Sequence, residues 1–454
     1  MTPALQPAAH RRLAVVGAGW AGLAAAVQAV EAGWQVTVFE MAPQAGGRAR
    51  SLMPRDRPGP ATAQGPWRPD NGQHILIGAY TATLALMRQV GADPDRLLWR
   101  GPLALVDAGG EGLRLPAGSA IPAFLRAVWA LKRWSVADRL ALLRHCSGWL
   151  LRGFRCKSST TVQQLTAALP EAVRRELIDP LCVAALNTPA ATASAAVFLR
   201  VLRDALFAGP GSSDLLIPQR PLAELLPEPA LPWLQQRGAS LQLGRRVGRL
   251  QPSATGAGWT VDGEPFDAIT LACSAAEAAR LSADVAPAWS ARAAAFTYEP
   301  ILTAYLQAPG ARLIAPMVAL AEGPQAPAQF AFDHGQLGGP PGLLALVVSG
   351  AAGWVARGQD AAAAALQQQA AQLLRASPQS GLGEPELLQL IAEKRATFRC
   401  VPGLDRPPAW ICPGLAAAGD FVEGPYPATL EGAVRSGMAA AQLLTSPSPP
   451  SPRA

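Results

Sequence analysis

The sequence predicts an α/β protein in which a Rossmann-like domain is interleaved with a mixed domain of helices and β-sheet. Three observations indicate this fold class. A strand, a glycine-rich turn, a helix and a second strand follow one another between residues 12 and 40, short alternating strands recur between residues 238 and 275, and a glycine-rich segment leads into a last helix after residue 416. Because long stretches of other character separate these parts, the Rossmann-like domain must be assembled from distant pieces of the chain.

The composition is that of a globular protein with more than one core. Of the 454 residues, 50% are hydrophobic and 16% are charged, so two domains are expected and extensive disorder is not. Six cysteines without a CxxC pair indicate reduced thiols, and four scattered histidines predict no metal site. The first twelve residues lack the apolar core of a secretion signal, and prolines and glycines interrupt the uncharged stretch 337–356, so no membrane-spanning helix is predicted.

The turn after the first strand has the GxGxxG spacing of a dinucleotide-binding site. Leu13–Val16 are expected to form the buried strand. Gly17 then allows a tight turn, Gly19 lets the backbone approach a pyrophosphate, and Gly22 lets the helix pack closely on the strand. The spacing alone is a weak signal, whereas the complete strand, turn and helix unit is a specific one.

The helix that follows can complement the charge of phosphates. Residues 23–32 are Ala-rich and predict a helix, and the backbone amides beside Trp20 and Ala21, with the positive end of the helix dipole, can face phosphate oxygens. Val36–Phe39 predict a second strand that ends at Glu40, whose carboxylate can accept both hydroxyls of an adenosine ribose. The unit therefore predicts an unphosphorylated ribose, and by itself it leaves NAD and FAD open.

The next residues favour FAD. Gly46, Gly47 and Arg48 follow the second strand in the segment MAPQAGGRARS. In that place they resemble the flavin-dependent amine oxidase and carotenoid desaturase superfamily. The resemblance implies that the two glycines run along the cofactor and that the arginine meets its phosphates.

Residues 416–442, AAAGDFVEGPYPATLEGAVRSGMAAAQ, resemble the segment that closes the FAD site in that superfamily. With the strand-rich region before it, the resemblance assigns cofactor contacts to six residues, namely Gly419, Asp420, Val247, Ala428, Thr429 and Leu430. The first two would lie at the pyrophosphate and ribityl chain, the third at the adenine, and the last three at the flavin ring. A helix that begins there would turn its positive end toward the pyrimidine side of a reduced flavin. FAD is therefore the predicted cofactor.

These pieces predict the domain organisation. An FAD-binding domain is expected from residues 10–80, 210–280 and 395–445, and a substrate-binding domain from residues 81–209 and 281–394. Within the latter, residues 115–208 predict helices and residues 296–350 predict strands. The Pro- and Ser-rich tail 446–454 is predicted to be disordered.

Residues 121–157 form a basic, apolar region. They carry eight Arg or Lys and one Asp, so their net charge of +7 equals that of the whole chain. Apolar residues, among them Trp129, Trp134 and Trp149, alternate with the basic ones at helical spacing, which is typical of helices that lie in a membrane interface. One alternative stays open, in which the apolar faces belong to the core and the arginines are merely solvated. Nucleic acid is not an expected partner, because the region is rich in aliphatic residues and no nucleic-acid-binding fold is visible.

Four segments resemble one narrower family. They are DNGQHILIGAY at 70–80, DPLCVAALNTPAATASAAVFLRVL at 179–202, SSDLLIP at 212–218 and EKRATFRCVPG at 393–403. Together they resemble hydroxysqualene dehydroxylase, also described as squalene-associated FAD-dependent desaturase, and the resemblance runs from residue 12 to about residue 445. It implies an FAD-dependent oxidoreductase of squalene and hopanoid biosynthesis, in which reduced FAD replaces the allylic hydroxyl of hydroxysqualene with hydride.

Catalytic candidates follow from that reaction. Hydroxide is a poor leaving group, and His74 is the most suitable proton donor in the segment that, with Asn71, is expected to face the flavin. Equally, His74 could only position its neighbours by hydrogen bonding. Asn187 and Thr188 could hold the substrate hydroxyl, or Asn187 could cap the helix that follows a break. Lys394 is interpreted as structural.

The resemblance and the basic region 121–157 together predict partners and a location. The expected partners are a hydrophobic isoprenoid substrate, an anionic membrane surface and, functionally, the upstream squalene-pathway synthases. The expected location is the cytoplasm, at the inner face of the cell membrane. Two other activities stay open: a carotenoid-type desaturase would run the flavin oxidatively, and an amine oxidase would need an aromatic cage, for which the closing segment offers Tyr426.

Overall fold

The structure is a computed structural model that describes residues 11–52, 61–62, 65–116, 118–254, 256–377 and 384–445. The predicted disordered tail, 446–454, lies outside these residues. The helices are α1 (Trp20–Glu31), α2 (Thr81–Gln89), α3 (Pro94–Leu97), α4 (Ala120–Ala130), α5 (Val136–Leu151), α6 (Val162–Leu165), α7 (Glu171–Val173), α8 (Asp179–Leu186), α9 (Ala195–Phe207), α10 (Leu222–Leu225), α11 (Pro227–Gln235), α12 (Ala275–Ser282), α13 (Pro287–Ala294), α14 (Ala352–Arg357), α15 (Gln359–Ala376) and α16 (Leu430–Thr445).

The strands are β1 (Arg12–Val16), β2 (Gln35–Glu40), β3 (Ala61–Thr62), β4 (Gly65–Pro66), β5 (Leu76–Ile77), β6 (Leu98–Gly101), β7 (Ala104–Val106), β8 (Gly112–Arg114), β9 (Leu215–Pro218), β10 (Ser240–Leu243), β11 (Leu250–Pro252), β12 (Trp259–Val261), β13 (Glu264–Phe266), β14 (Ala268–Leu271), β15 (Tyr298–Gln307), β16 (Met317–Ala319), β17 (Phe330–Asp333), β18 (Leu343–Val348), β19 (Glu386–Phe398), β20 (Trp410–Cys412) and β21 (Leu415–Ala417). A π-helical turn, Arg174–Ile178, precedes α8, and a 3₁₀ turn, His334–Leu337, follows β17.

A six-stranded sheet forms the Rossmann-like part, in the order β10-β2-β1-β14-β21-β20. All neighbours pair in parallel except β20, which runs antiparallel to β21. Its strands come from three distant stretches of the chain, as the predicted α/β class with an interleaved Rossmann-like domain requires, and that fold class is confirmed. Helix α1 begins at Trp20, three residues before the predicted start, because Gly19 has extended backbone angles and ends the turn directly before it.

A second, antiparallel sheet has the order β16-β17-β18-β15-β19. Helices α14 and α15 pack against it, so its strands are buried from that side. Strand β15 is long and almost wholly buried, and it pairs with both β18 and β19. This sheet covers one side of the segment 70–80.

Helices α4 and α5 contain most of the basic region 121–157. Trp134 and Trp149 are only 4% and 3% exposed, and the indole N–H of Trp134 donates to Glu176 at 2.9 Å. For these two tryptophans the prediction of an interfacial position is wrong, because Trp149 lies on the buried side of α5 and Trp134, between α4 and α5, packs into the core. Trp129, in contrast, is 53% exposed.

Helices α1 and α16, from opposite ends of the chain, pack closely against each other. A Cβ atom on Gly437 would come within 2.1 Å of the Ala21 carbonyl oxygen, so only glycine fits there. Next to this contact the fully buried Glu431 carboxylate accepts hydrogen bonds from the backbone amides of Ala82 and Thr83. These bonds attach the start of α2 to α16.

Among the described residues, no helix has both the length and the apolar character needed to cross a bilayer. All six cysteines are free thiols. Within the same residues, no cluster of His, Cys, Asp and Glu side chains is arranged to hold a metal ion.

The close contact of α1 and α16 predicts the effect of a single methyl group. Gly437→Ala should lower the free energy of unfolding by about 1–3 kcal/mol, because the new Cβ forces the two helices apart. Gly353→Ala is the matched control, since Gly353 lies exposed on α14 with no atom within 4 Å of its added Cβ, and it should be neutral or stabilising by at most about 1 kcal/mol. Denaturant unfolding measures both, and equal stability of the two variants would contradict the inferred contact.

Candidate active site

The glycine turn between β1 and α1 has the geometry that its sequence predicts. Gly17 has φ +112°, and a Cβ there would lie 2.6 Å from the Ala272 carbonyl oxygen. A Cβ on Gly22 would lie 1.9 Å from the Gly17 carbonyl oxygen. Gly19 differs from both: its φ is −72°, and its Cβ would meet nothing nearer than the Gly47 Cα at 3.8 Å. Neighbouring backbone atoms therefore exclude any side chain at positions 17 and 22. At position 19, in contrast, a side chain would point into open space beside the turn.

The Glu40 carboxylate ties the end of β2 to this turn. It is 8% exposed and accepts hydrogen bonds from the backbone amides of Ala18 and Ala42, each at 2.8 Å. A carboxylate has about four acceptor positions, so these two bonds leave capacity for ribose hydroxyls. On the first turn of α1, Trp20 and Ala21 are buried, and the Trp20 indole N–H donates to the Ala49 carbonyl.

The segment with Gly46, Gly47 and Arg48 lies directly against the turn. The Gly46 amide donates to the Ala18 carbonyl at 2.8 Å, which brings the two glycine-rich backbones side by side. The Arg48 guanidinium forms an ion pair with Asp420 at 2.5 Å and also donates to the Ala396 carbonyl. Burial opposes the charged form of Arg48, but the Asp420 carboxylate outweighs it and raises the pKa of Arg48.

The ion pair between Arg48 and Asp420 connects the closing segment, residues 416–442, to the glycine-rich segments. Gly419 follows β21 and donates its amide hydrogen to Ser436 on α16. Ala428 has φ +57°, a left-handed conformation that turns the chain into α16. Thr429 begins the helix, since its hydroxyl oxygen accepts from the amide of Gly432, and Leu430 is the first helical residue.

Val247 lies apart from these contacts, between β10 and β11. Its side chain is 3% exposed, and its carbonyl accepts a hydrogen bond from Arg280 at 2.8 Å. The adenine contact that the resemblance implies for Val247 stays a prediction, and its backbone carbonyl already has one donor.

The residues present fit a dinucleotide such as FAD. Two glycine backbones without side chains face each other at Gly19 and Gly47, and a Cβ at position 19 would project into the gap between them. The starts of α1 and α16 supply two helix N-termini, which favour negative charge. Glu40 stands at the end of β2 beside the turn, so acceptors for a ribose and donors for phosphates occur together.

The segment 70–80 lies beside this site. The Asn71 amide group donates to the Arg48 carbonyl at 3.0 Å and to the Glu393 carboxylate at 2.9 Å. The His74 ring nitrogen Nδ1 lies 2.9 Å from the Gly72 carbonyl, which makes that nitrogen the donor. Burial lowers the pKa of His74, the hydrogen bond to Gly72 opposes this, and the charge of Arg48 lowers it further. The resting imidazole is therefore uncharged near neutral pH.

Two acidic residues of this neighbourhood did not emerge from the sequence. Glu393 lies on β19 and contacts Asn71, whereas its neighbour Lys394 is exposed, as the alternation of side chains along a strand requires. That alternation was the available signal. Asp70 accepts hydrogen bonds from the Ser51 hydroxyl at 2.6 Å and from the Leu222 amide, and burial raises the pKa of Asp70 to about 7.

The antiparallel sheet brings polar atoms without partners to the same spot. The Thr303 side chain is 1% exposed, and its hydroxyl has no hydrogen-bond partner. This hydroxyl and the His74 ring lie 3.7 and 4.0 Å from the place where a Cβ on Gly72 would stand. His334 also has a buried ring nitrogen without a partner, and burial lowers its pKa to about 4. Buried polar atoms are rarely left unpaired, so this spot suits a ligand with a polar group.

Aromatic side chains lie farther along the same strand. The rings of Trp67 and Tyr305 are 4.9 Å apart, and His334 packs edge-on against both. The Tyr305 hydroxyl donates to the Asp70 carbonyl at 3.1 Å. Because Tyr305 lies two residues after Thr303 on β15, both side chains project from the same face of the sheet, which therefore carries aromatic rings together with a few polar atoms.

Asn187 has a structural role that the sequence offered only as an alternative. It is 4% exposed, its amide nitrogen donates to the Glu299 carbonyl and the Thr397 hydroxyl, and its carbonyl accepts from the Gly350 amide at 2.7 Å. With φ +46° it ends α8, so the expectation that it caps the following helix is wrong, and Ser194 caps α9 instead. Thr188 is fully buried and accepts from the Cys400 amide. Because every polar atom of Asn187 is engaged, the structure favours scaffolding over a contact with substrate.

Comparison with known proteins places the chain in a family. Residues 20–445 match the family described as flavin containing amine oxidoreductase. The chain belongs to this family. It is therefore a flavin-dependent oxidoreductase, and FAD is its cofactor.

Similar proteins span the whole chain. The sequence is 28% identical to hydroxysqualene dehydroxylase of Rhodopseudomonas palustris, over 95% of this chain and 97% of that protein. It is also 28% identical to a probable zeta-carotene desaturase of Synechococcus elongatus, but over only 56% of this chain and 54% of that one. Among solved structures, an oxidoreductase from Methanosarcina mazei superposes with a TM-score of 0.69 at 16% identity, covering 95% of this chain and all of that one, which supports the fold.

The open side of Gly19 predicts a selective loss of cofactor from this flavoenzyme. Gly19→Val should fold, because the backbone angles suit valine and its Cβ would make only an ordinary contact, 3.8 Å from the Gly47 Cα, but it should purify without flavin absorbance because the side chain blocks the pyrophosphate. Gly353→Val, at an exposed position, should purify yellow. Flavin absorbance and denaturant unfolding of both proteins measure this, and a Gly19→Val protein with stoichiometric flavin would refute the assignment of the turn.

Proposed function

We propose that this flavoenzyme converts hydroxysqualene to squalene by replacing the allylic hydroxyl with hydride. The similarity to the Rhodopseudomonas palustris hydroxysqualene dehydroxylase over nearly the full length of both chains carries the proposal. The site supports it, because one face of the sheet carries aromatic rings together with a few buried polar atoms, as a long hydrocarbon with one hydroxyl would need. The upstream squalene-pathway synthases would then supply the substrate.

The hydroxyl must leave as water, which needs a proton, and the carbon must receive a hydride. FAD, when bound in its reduced form, supplies the hydride. The protein residues would hold the substrate hydroxyl, deliver the proton and keep bulk water away from the carbon that becomes electron-poor.

Three side chains suit these tasks. We assign proton donation to His74 and binding of the substrate hydroxyl to Thr303. Both side chains border the space beside Gly72, and the Thr303 hydroxyl has no hydrogen-bond partner. Asn71 holds the loop in place through its bonds to Arg48 and Glu393. Thr303 thus takes the role that the sequence suggested for Asn187.

A carotenoid-type desaturase is the second candidate, favoured by the partial similarity to the probable zeta-carotene desaturase. Amine oxidation ranks below it. The Tyr426 ring, the aromatic group expected for a cage, already has the guanidinium groups of Arg200 and Arg435 over it at 5.8 and 5.3 Å, so these cations occupy the ring that an amine would need.

We also propose that the protein resides in the cytoplasm, peripherally bound to the inner face of the cell membrane. A C30 hydrocarbon substrate partitions into lipid, so an enzyme that uses it benefits from contact with the bilayer.

The proposed reaction is tested with anaerobic enzyme, reduced FAD and hydroxysqualene in deuterated buffer, followed by lipid analysis. We expect squalene with one deuterium at the carbon that lost oxygen, because the transferable hydride of the flavin exchanges with solvent before transfer. Squalene without carbon-bound deuterium would exclude hydride transfer from flavin. If the oxidised enzyme instead converts squalene to more unsaturated products, the desaturase reading is correct.

The lowered pKa of His74 predicts a pH dependence. If protonated His74 is the acid, the wild-type turnover number should rise as pH falls from neutrality toward that lowered pKa, since the charged fraction grows. His74→Gln should lose roughly a hundredfold in turnover and lose the acidic rise, with FAD content unchanged. A glutamine variant that keeps most of the rate would show that His74 only positions its neighbours.

A companion variant separates substrate binding from proton delivery. Thr303→Val removes the unpartnered hydroxyl at constant shape, and it should weaken binding of hydroxysqualene while leaving the pH profile unchanged.

A further inference from the structure

Large apolar side chains are exposed mainly on α4 and α5. Among the described residues, seven of the eleven exposed large hydrophobic side chains lie there, with exposures from 44% for Leu125 to 88% for Leu151. We name these seven the α4–α5 face: Ile121, Leu125, Trp129, Val136, Leu140, Leu150 and Leu151. The first three are spaced by four residues and so form one stripe along α4.

These helices need no second apolar face for folding. Their opposite sides already pack into the core, through Ala123, Ala127 and Val128 on α4 and through Leu142 and Trp149 on α5. A concentration of exposed large apolar side chains on two neighbouring helices is typical of interaction sites.

Basic side chains stand among the exposed apolar ones. Arg126, Lys132, Arg144 and Arg152 are all exposed, and the Arg139 guanidinium lies 5.8 Å from the centre of the exposed Trp129 ring. The region 121–157 carries +7, while the rest of the chain is neutral overall, since 39 basic and 32 acidic residues leave +7 in total. The rest of the chain thus adds no net charge to that of this region, in which Arg133 is paired with Asp107.

We propose that the α4–α5 face docks on an anionic lipid bilayer. Leucines and a tryptophan can enter the boundary between headgroups and acyl chains, while the arginines and lysines beside them meet lipid phosphates. A nucleic acid would complement the charge and leave the leucines in water, and a purely apolar partner would leave the charge unmatched. Only a surface that is both anionic and apolar satisfies both features.

This face lies close to the candidate active site. Helix α4 packs against α9, and on α9 the Arg200 guanidinium lies 5.8 Å from the Tyr426 ring of the closing segment. One helix layer thus separates the proposed bilayer contact from the FAD segment. That a substrate enters from this side rests on the proposed function; the docking surface itself rests only on exposure and charge.

Vesicle sedimentation of the purified holoprotein tests the proposal. Vesicles of phosphatidylcholine with phosphatidylglycerol should bind the protein, pure phosphatidylcholine should bind it much less, and added salt should weaken binding because the Debye length shrinks to roughly 3 Å at 1 M. The triple variant Arg126→Glu, Lys132→Glu, Arg152→Glu should lose at least about tenfold in affinity, since each basic side chain near the surface contributes about 1 kcal/mol. Leu125→Ser with Leu151→Ser should also bind more weakly.

A matched control reverses three charges elsewhere. Arg96, Arg175 and Arg375 have side chains that are 87%, 71% and 65% exposed and lie outside the α4–α5 face, so their change to Glu should leave affinity within about twofold after the same change of net charge. Equal losses in both triple variants would reduce the effect to net charge and overturn the proposal. Equal binding by the wild type and the triple variant at Arg126, Lys132 and Arg152 would also overturn the proposal. The same holds if the double variant at Leu125 and Leu151 changes from oligomer to monomer without a change in vesicle binding.

Two further readouts separate this proposal from the proposed reaction. All variants should keep stoichiometric FAD, which shows that they are folded, and should convert detergent-dispersed hydroxysqualene at the wild-type rate. A wild-type protein that binds anionic vesicles but leaves hydroxysqualene unchanged would refute the reaction and leave the docking surface standing.

Discussion

The close packing of α1 against α16 is the contact on which the site depends. The two helices come from opposite ends of the chain, and each begins at a segment that the cofactor is expected to touch. Glycine at position 437 lets a helix rest on the Ala21 carbonyl, and the ion pair of Arg48 with Asp420 joins the two segments again beside it. Long stretches of chain between residues 40 and 410 are therefore inserted between strands of the six-stranded sheet, to which β10 and β14 also belong.

Three buried titratable side chains near the candidate site are shifted toward their uncharged forms. Burial lowers the pKa of His74 and His334 and raises the pKa of Asp70, so each moves toward its neutral form. The positive charge of Arg48 is compensated by its ion pair with Asp420. An interior of low net charge suits a hydrocarbon ligand, since an unpaired charge there would be costly in the presence of an apolar substrate. If His74 is the acid, as we propose, its lowered pKa leaves only a small protonated fraction for catalysis near neutral pH.

The sequence-based predictions failed for polar and aromatic residues whose side chains could lie in either of two environments. Asn187 looked like a ligand for a hydroxyl, yet three distant segments of chain saturate its side chain. Trp134 and Trp149 share the pattern of Trp129, but both are buried, Trp149 on the inner side of α5 and Trp134 between the two helices. Glu393 is not predicted as a site residue, because its partner Asn71 lies 322 residues away in sequence. In each case the partner lies far away in sequence, so local pattern carries no information about it.

The sequence by itself determined the α/β class, the glycine turn with its acidic strand end, and the identity of the cofactor. Those features are local: positive φ at Gly17, the missing side chain at Gly19 and the position of Glu40 follow from a run of thirty residues whose spacing is imposed by one phosphate-binding geometry. Only the tertiary structure decided that the Thr303 hydroxyl stands unpaired beside Gly72 and that α4 and α5 keep a second apolar face in solvent. Both depend on which surfaces meet when separate elements pack. That cannot be read from the local sequence of either element, because the packing partners lie far apart in the chain.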